Sequence, residues 1–322
     1  MLDVTVSLKI IFDMKILKEI NKIKNVVIIG GSGCIGTATC NYFTTLGIAV
    51  TVIDIVPPED PNLNYIHCDI RNFKDLNKAL NGAEYVYILA AISDANENSS
   101  SPLKSMDINI GGINNVLIAS RNNKVKRVIF SSTVWVYSES GEINVNEDSI
   151  ISSNNVKHNY TASKIAGEML IRSYCNLYNL NYTIMRYGIA YGPKTNSNTA
   201  ISNFINKAFN GESIYINGDG KAYRNFMYIT DHARANLSVL HKNAINQTIN
   251  FDGPESITIK TVADLVKKHI NKKIKIKCID SKPGDYKGRN VSNEKSLNLL
   301  DWKPEVLFEE GLKKQIKILC QE

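Results

Sequence analysis

Tyr160 and Lys164 lie four residues apart in the run Tyr160-Thr-Ala-Ser-Lys164, on a segment whose pattern predicts a helix through about residue 179. That spacing stacks both side chains on one helix face. An ammonium beside a phenol favours the phenolate and lowers the tyrosine pKa from its usual ~10. A tyrosine tuned in this way can exchange a proton with a carbohydrate hydroxyl near neutral pH. Moving the pKa to about 7 takes roughly 4 kcal/mol, at ~1.36 kcal/mol per unit. One lysine would strain to supply that, and a positively charged cofactor ring nearby would help. By itself Tyr-x-x-x-Lys is a weak pattern, since most such pairs are a tyrosine beside a solvated lysine. Its meaning depends on what else the chain carries.

The second chemical stretch is Gly30-Gly-Ser-Gly33-Cys34-Ile35-Gly36. It follows residues 25–29, an apolar β-branched run that predicts a strand buried on both faces, and it opens a helical stretch through about residue 46. Glycines in this spacing permit a tight turn, close approach of backbone to a pyrophosphate, and close helix–strand packing. The helix N-terminus adds unpaired N–H groups and positive dipole for phosphate. A second strand, residues 49–53, ends in Asp54, eighteen residues beyond Gly36. A carboxylate there can accept hydrogen bonds from an adenosine ribose and would repel a 2′-phosphate, which predicts NAD rather than NADP.

These groups need a frame. Further strands are predicted at residues 64–68, 85–89, 127–130 and 182–186, with helices at 74–80 and 103–122 and a polar loop at 93–101. Strands alternating with helices in this rhythm predict an α/β fold, a doubly wound parallel sheet. Ligands then belong at the carboxyl ends of the strands. The glycine loop, Asp54, Asp69, Ala90-Ala91 and Thr133 all fall at such ends. Beyond about residue 193 the rhythm changes. The expected organisation is an extension (1–24), a nucleotide-binding domain (25–192) to which residues around 225–254 return, and a smaller substrate-binding lobe drawn mainly from 193–322.

Composition narrows the classes. The 322 residues are 43% hydrophobic and carry a net charge of +7. The lysines are scattered, without a basic, aromatic-interleaved track for nucleic acid. Cys34, Cys40, Cys68, Cys175, Cys278 and Cys320 form no Cys-x-x-Cys pair and no zinc-site spacing, so free thiols in a reducing, cytoplasmic setting and no metal are expected. Asp3, Lys9, Asp13 and Lys15 interrupt the first apolar runs, which argues against a signal peptide. No stretch reaches the ~18 unbroken apolar residues of a membrane helix.

Taken together, the glycine loop, Asp69-Ile70-Arg71, Leu89-Ala90-Ala91, Ser131-Ser132-Thr133, Tyr160-x-x-x-Lys164, Arg186 with Tyr191-Gly-Pro193, Gly218-Asp-Gly220, Arg224, Asp231, Lys282-Pro-Gly-Asp285 and Leu300-Asp-Trp-Lys-Pro304 give the chain its likeness. From about residue 25 onward it resembles the extended short-chain dehydrogenase/reductases, specifically the NAD-dependent nucleotide-sugar epimerase/dehydratase family. The resemblance implies Tyr160 as acid/base, Lys164 on the nicotinamide ribose, and Thr133 bonded to a sugar hydroxyl. It implies pyrophosphate on Gly30, Gly33 and Gly36, with Asp54 on the adenosine ribose, Asp69 and Ile70 beside the adenine, and Cys34, Ile35, Leu89, Ala90 and Ala91 also binding the cofactor. Arg224 matches a residue that grips the nucleotide diphosphate. Gly188 stands where a substrate-binding asparagine is usual, and Lys282 where an arginine is common.

The implied activity is NAD-dependent oxidation at C4 of a nucleotide-diphosphate sugar, as in enzymes of the UDP-glucose 4-epimerase type. A one-way C4 dehydrogenase is the close alternative. A 4,6-dehydratase needs an added acid and base, usually an Asp-Glu pair after the threonine, where this chain has Val134 and Trp135. A non-catalytic NAD sensor is disfavoured by the intact Thr133, Tyr160 and Lys164. The resemblance also implies a homodimer paired through residues 106–122 and 162–178.

Overall fold

A computed structural model describes residues 23–195, 198–280 and 288–320. The strands in chain order are β1 (Val26–Ile29), β2 (Val50–Asp54), β3 (Asn64–His67), β4 (Tyr85–Ile88), β5 (Arg127–Thr133), β6 (Asn144–Val145) and β7 (Tyr182–Tyr187). They continue with β8 (Ile189–Tyr191), β9 (Ile214–Asn217), β10 (Tyr223–Tyr228), β11 (Gln247–Phe251), β12 (Ser256–Thr258), β13 (Ile276–Ile279) and β14 (Asn290–Val291). The main sheet has seven strands in the order β11-β7-β5-β4-β1-β2-β3, and every neighbouring pair in it is parallel.

Both faces of the sheet are covered at its centre, which is why β1 and β4 read as unbroken apolar runs. Successive side chains of β1 point to opposite sides. Val26 and Ile28 join a core with Phe43, Val52, Tyr87 and Met185. Val27 and Ile29 join the other, with Leu76, Val86, Val116 and Phe130. The helices Cys34–Thr45 and Ile229–Ser238 cover the first face, and Phe73–Ala79, Ile113–Asn122 and Asn159–Tyr178 the second. Smaller sheets, β12-β10-β8, β13-β9 and β14-β6, come largely from the later chain. A third core gathers Tyr191, Phe204, Ile205, Phe226, Phe308 and Leu312.

Three local differences from the sequence-based expectation bear on the site. First, β5 does not stop at residue 130 but runs to Thr133, in register with Tyr187 of β7, because the polar Ser131, Ser132 and Thr133 are buried and paired there. Second, the polar stretch 93–101 contains a short helix, Ala95–Ser100, started by the Asp94 carboxylate accepting from Glu97 N at 2.9 Å. Third, the expected helix over 103–122 is interrupted. Pro102–Met106 is α-helical, Asp107–Gly112 is π-helical, and Ile113–Asn122 resumes the α form. Within the wide turn, Asn109 accepts from Ile92 N at 2.8 Å and donates to Ile92 O at 2.9 Å. Gly112 sits so close to Ile70 that a Cβ there would lie 2.4 Å from Ile70 Cδ1.

The late landmarks hold the two layers together. Both oxygens of the buried Asp231 are engaged: Oδ2 accepts from Glu305 N and Val306 N, each at 3.0 Å, and Oδ1 from Arg234 at 2.8 Å. Trp302 packs edge-on against Phe251 of β11, with ring centroids 4.8 Å apart.

Candidate active site

The nucleotide end of the site is made by close backbone approach. Gly30 leaves β1 at φ +84°, and a Cβ on it would lie 2.4 Å from Ala90 N; one on Gly36 would lie 2.2 Å from Gly30 O. Only glycine fits either position. Gly33 begins the Cys34–Thr45 helix, which has no side-chain cap and no acidic residue in its first turn, leaving N-terminal donors for an anion. Asp54 ends β2, its Oδ2 accepting from Ser32 N at 3.0 Å and Oδ1 from Val56 N at 3.2 Å. The carboxylate is thereby fixed against the glycine loop, with further acceptor capacity on each oxygen. Leu89 N and Ala90 N both donate to Ile29 O, at 2.9 and 3.0 Å, holding Leu89, Ala90 and Ala91 beside the loop. Asp69 follows β3 and is forked onto Arg71, at 2.6 Å from Nη2. That hydrogen bond lowers the Asp69 pKa. The Ile70 side chain belongs to the core under Gly112.

The chemical end forms where β5 meets the Asn159–Tyr178 helix. Lys164 is only 2% exposed. Its Nζ donates to Ser131 O at 2.7 Å and lies 4.9 Å from the Phe130 ring and 5.6 Å from the Tyr160 ring. Burial pulls the Lys164 pKa down to about 7. Burial likewise pushes the Tyr160 phenol up, against the lowering expected from an adjacent ammonium. The ammonium is itself desolvated and committed to the Ser131 carbonyl, so its pull does not outweigh the cost of a buried phenolate. Thr133 ends β5; its Oγ1 accepts from Trp135 N at 3.2 Å, which leaves its own proton to donate. Trp135 in turn meets His158 edge-on, centroids 5.6 Å apart. Asn109 of the π-turn reaches Ser163 Oγ at 3.3 Å, tying that turn to the Tyr160 helix.

Behind these residues lies a buried ion pair. Glu168 accepts from Arg186 through both oxygens, at 2.9 and 2.8 Å. Its role was not anticipated, although it stands four residues beyond Lys164 on the same helix face and that spacing could have found it.

The expected substrate residues are dispersed over other elements. Gly188 follows β7, and a Cβ there would lie 2.2 Å from Asp252 Oδ1, so no side chain fits. Burial raises the Asp252 carboxyl to about 7. Arg224 lies on β10, half-buried, with Nη1 donating to Tyr223 O at 2.8 Å. Lys282 lies outside the described residues. Glu139, the first acid after Thr133 in the chain, is ion-paired to Lys157 at 3.2 Å, and Glu97 is ion-paired to Lys104 at 3.2 Å.

A family model for the NAD dependent epimerase/dehydratase family matches residues 26–251. The chain belongs to that family. It is 29% identical over 304 residues to a putative UDP-glucose 4-epimerase of Methanocaldococcus jannaschii, covering 90% of this chain and 97% of the relative. Among solved structures, a UDP-N-acetylglucosamine 4-epimerase from Methanobrevibacter ruminantium, in complex with UDP-N-acetylmuramic acid, is 31% identical with TM-score 0.85, covering 94% of this chain and all of that one (100%). A UDP-glucuronic acid 4-epimerase from Bacillus cereus, in complex with UDP-glucuronic acid and NAD, is 26% identical with TM-score 0.85, covering 92% and 99%. Other relatives are nucleotide-sugar decarboxylases and a 4,6-dehydratase. The chain is thus of an enzyme family whose cofactor is NAD, and the close-packed Gly30 and Gly36, the uncapped helix start and the anchored Asp54 fit a dinucleotide. Among the described residues no helix is long and apolar enough to cross a membrane, and no His, Cys, Asp and Glu cluster could hold a metal.

The Lys164 burial predicts a pH signature. Its folded pKa, about 7, lies below the ~10.4 of an unfolded lysine. Below the lower value both states hold the proton and the full cost of burying it is felt. Between the two values the unfolded chain binds more protons, so stability rises with pH. Urea unfolding of the ligand-free protein should therefore find Lys164→Met the more stable at neutral pH, with the gap closing by on the order of a few kcal/mol toward pH ~10. A gap that does not change with pH contradicts this.

Proposed function

We propose that this protein is a nucleotide-sugar 4-epimerase. What supports the reading is that Lys164, one turn from Tyr160, pins its helix to the Ser131 carbonyl, two residues before Thr133 at the carboxyl end of β5, in a chain that also has the Gly30–Gly36 loop and Asp54 at the ends of β1 and β2. Bound NAD supplies the acceptor and then the donor of the sugar C4 hydride. Gly30, Gly33 and Gly36 cradle the pyrophosphate, with Cys34 and Ile35 also at the cofactor; Asp54 takes the adenosine ribose, and Asp69 and Ile70 lie at the adenine. Tyr160 removes the C4 hydroxyl proton and returns it after the keto sugar has presented its other face. Lys164 holds the nicotinamide ribose and, with the cationic ring, offsets the burial that raises the Tyr160 pKa. Thr133 donates to the sugar hydroxyl and keeps it aimed at Tyr160. Arg224 takes the nucleotide diphosphate.

The reading favours epimerisation over dehydration. Val134 cannot transfer a proton, and the Trp135 indole is only a donor. Of the other acids considered, Glu139 is ion-paired to Lys157 and Glu97 to Lys104, and Asp94 Oδ1 accepts from Glu97 N at the start of the Ala95–Ser100 helix. Decarboxylation and one-way oxidation share the C4 oxidation step, and product analysis separates them. NMR and mass spectrometry of reactions with UDP-glucose, UDP-N-acetylglucosamine and UDP-glucuronic acid should find the C4 epimer, without loss of water or carbon dioxide. Tyr160→Phe should keep bound NAD and lose at least ~100-fold in turnover. A keto or dehydrated product, or undiminished turnover in the variant, overturns the assignment.

Pairing of two copies belongs to the same reading. On the Asn159–Tyr178 helix, Ile165 and Leu170 pack inward and Tyr174 donates to Asn114, but Met169 and Leu177 are 65% and 67% exposed. Two large apolar side chains exposed on the outer side of this helix suit an interface. Light scattering at micromolar concentration should give a dimer mass, reduced to the monomer by Met169→Glu with Leu177→Glu. A wild-type monomer contradicts it.

A further inference from the structure

We propose that Glu168 and Arg186 are positioning residues that set the Tyr160–Lys164 helix against the Thr133 strand end; the inference rests on the epimerase reading for its kinetic arm.

The Glu168 and Arg186 side chains are 1% and 2% exposed. Four donors converge on one carboxylate. Oε1 accepts from Arg186 Nε at 2.9 Å and from Ser132 Oγ at 2.6 Å. Oε2 accepts from Arg186 Nη2 at 2.8 Å and from Arg172 Nη2 at 2.8 Å. A bidentate fork fixes direction as well as distance. Burial alone would raise the Glu168 pKa, but the hydrogen bonds and charge of Arg186 outweigh it and leave the carboxyl lowered.

The placement of the partners gives the pair its significance. Ser132 lies between Ser131, whose carbonyl holds Lys164, and Thr133. Glu168 lies one turn beyond Lys164 and two beyond Tyr160 on one helix face. Arg186 comes from β7, the neighbour of β5, in register with Ser132, and its third arm donates to Tyr137 Oη at 2.6 Å, just beyond the Thr133 turn. The carboxylate is therefore the common point of the helix, β5 and β7. Rotation of the helix by a fraction of a turn would shift Tyr160 and Lys164 relative to the end of β5, and a misplacement of ~1 Å can cost ~100-fold in rate.

The test uses the full-length protein in two variants. Glu168→Gln keeps the volume and removes the charge; Ser132→Ala removes only the link from the carboxylate to the site strand. With the sugar nucleotide that the wild type turns over, Glu168→Gln should lower kcat by ~100-fold and Ser132→Ala by ~10-fold, with KM changed less than ~3-fold in both. Ser132→Ala should unfold at a lower urea concentration than the wild type but stay fully folded without urea, which separates positioning from folding if Glu168→Gln proves unstable. A second readout needs no substrate: the pH-dependent stability gap that Lys164→Met reveals should shrink by at least half in the Glu168→Gln background, because Lys164 is no longer held in its buried place. If the wild type turns over no sugar nucleotide, the epimerase reading fails while the Lys164 titration still judges the pair. Wild-type kcat in folded Ser132→Ala, or an unaltered Lys164 titration in Glu168→Gln, overturns the proposal.

Discussion

Lys164, itself buried, donates to the Ser131 carbonyl across 2.7 Å, and that hydrogen bond determines how closely a helix must sit on a strand. Burying an ammonium costs several kcal/mol unless partners replace its water. The carbonyl supplies one partner and the Phe130 ring face, 4.9 Å away, a second. Neither is reachable unless the Asn159–Tyr178 helix lies almost in contact with β5. Gly167 makes that possible: a Cβ there would come within 2.7 Å of the Phe130 ring. The same approach brings Glu168 to Ser132 and Arg186, so one tight helix–strand contact sets the lysine, the tyrosine and the threonine together.

The nucleotide end obeys the same constraint one layer of sheet away. Gly36 lets the Cys34–Thr45 helix press on the glycine loop as Gly167 lets the other helix press on β5. The helix Ile229–Ser238 then braces the first, through Asn236 Nδ2 donating to Thr39 Oγ1 at 2.8 Å, while Tyr187 Oη donates to Asn236 Oδ1. Asp231 at the start of that bracing helix anchors the chain around Val306. The late part of the chain therefore supports the early part mechanically as well as closing over it.

Much of this was legible in residue types and spacing. The glycine loop, Asp54, Thr133 and the Tyr160–Lys164 helix follow from strand–helix alternation, because such sheets gather polar groups at their carboxyl ends. What stayed hidden depends on contacts distant in sequence. The π-helical turn at Asp107–Gly112 is set by Asn109 and Ile92, and helical periodicity alone does not announce it. Gly188 suggested a missing side chain; its reason is the carboxylate of Asp252, supplied from the end of another strand. Tyr160 was expected to be acidified by Lys164, but pairwise charge reasoning omitted the desolvation that raises one group and lowers the other.

The central claim is that a hydride leaves C4 and returns to C4 of the same sugar while Tyr160 moves the proton. It is tested most directly with a nucleotide sugar carrying deuterium at C4, turned over in ordinary water and analysed by NMR after equilibrium. The account predicts that both C4 epimers keep the deuterium at C4, with no hydrogen drawn from solvent. Epimerised product that has lost its deuterium to water would contradict it.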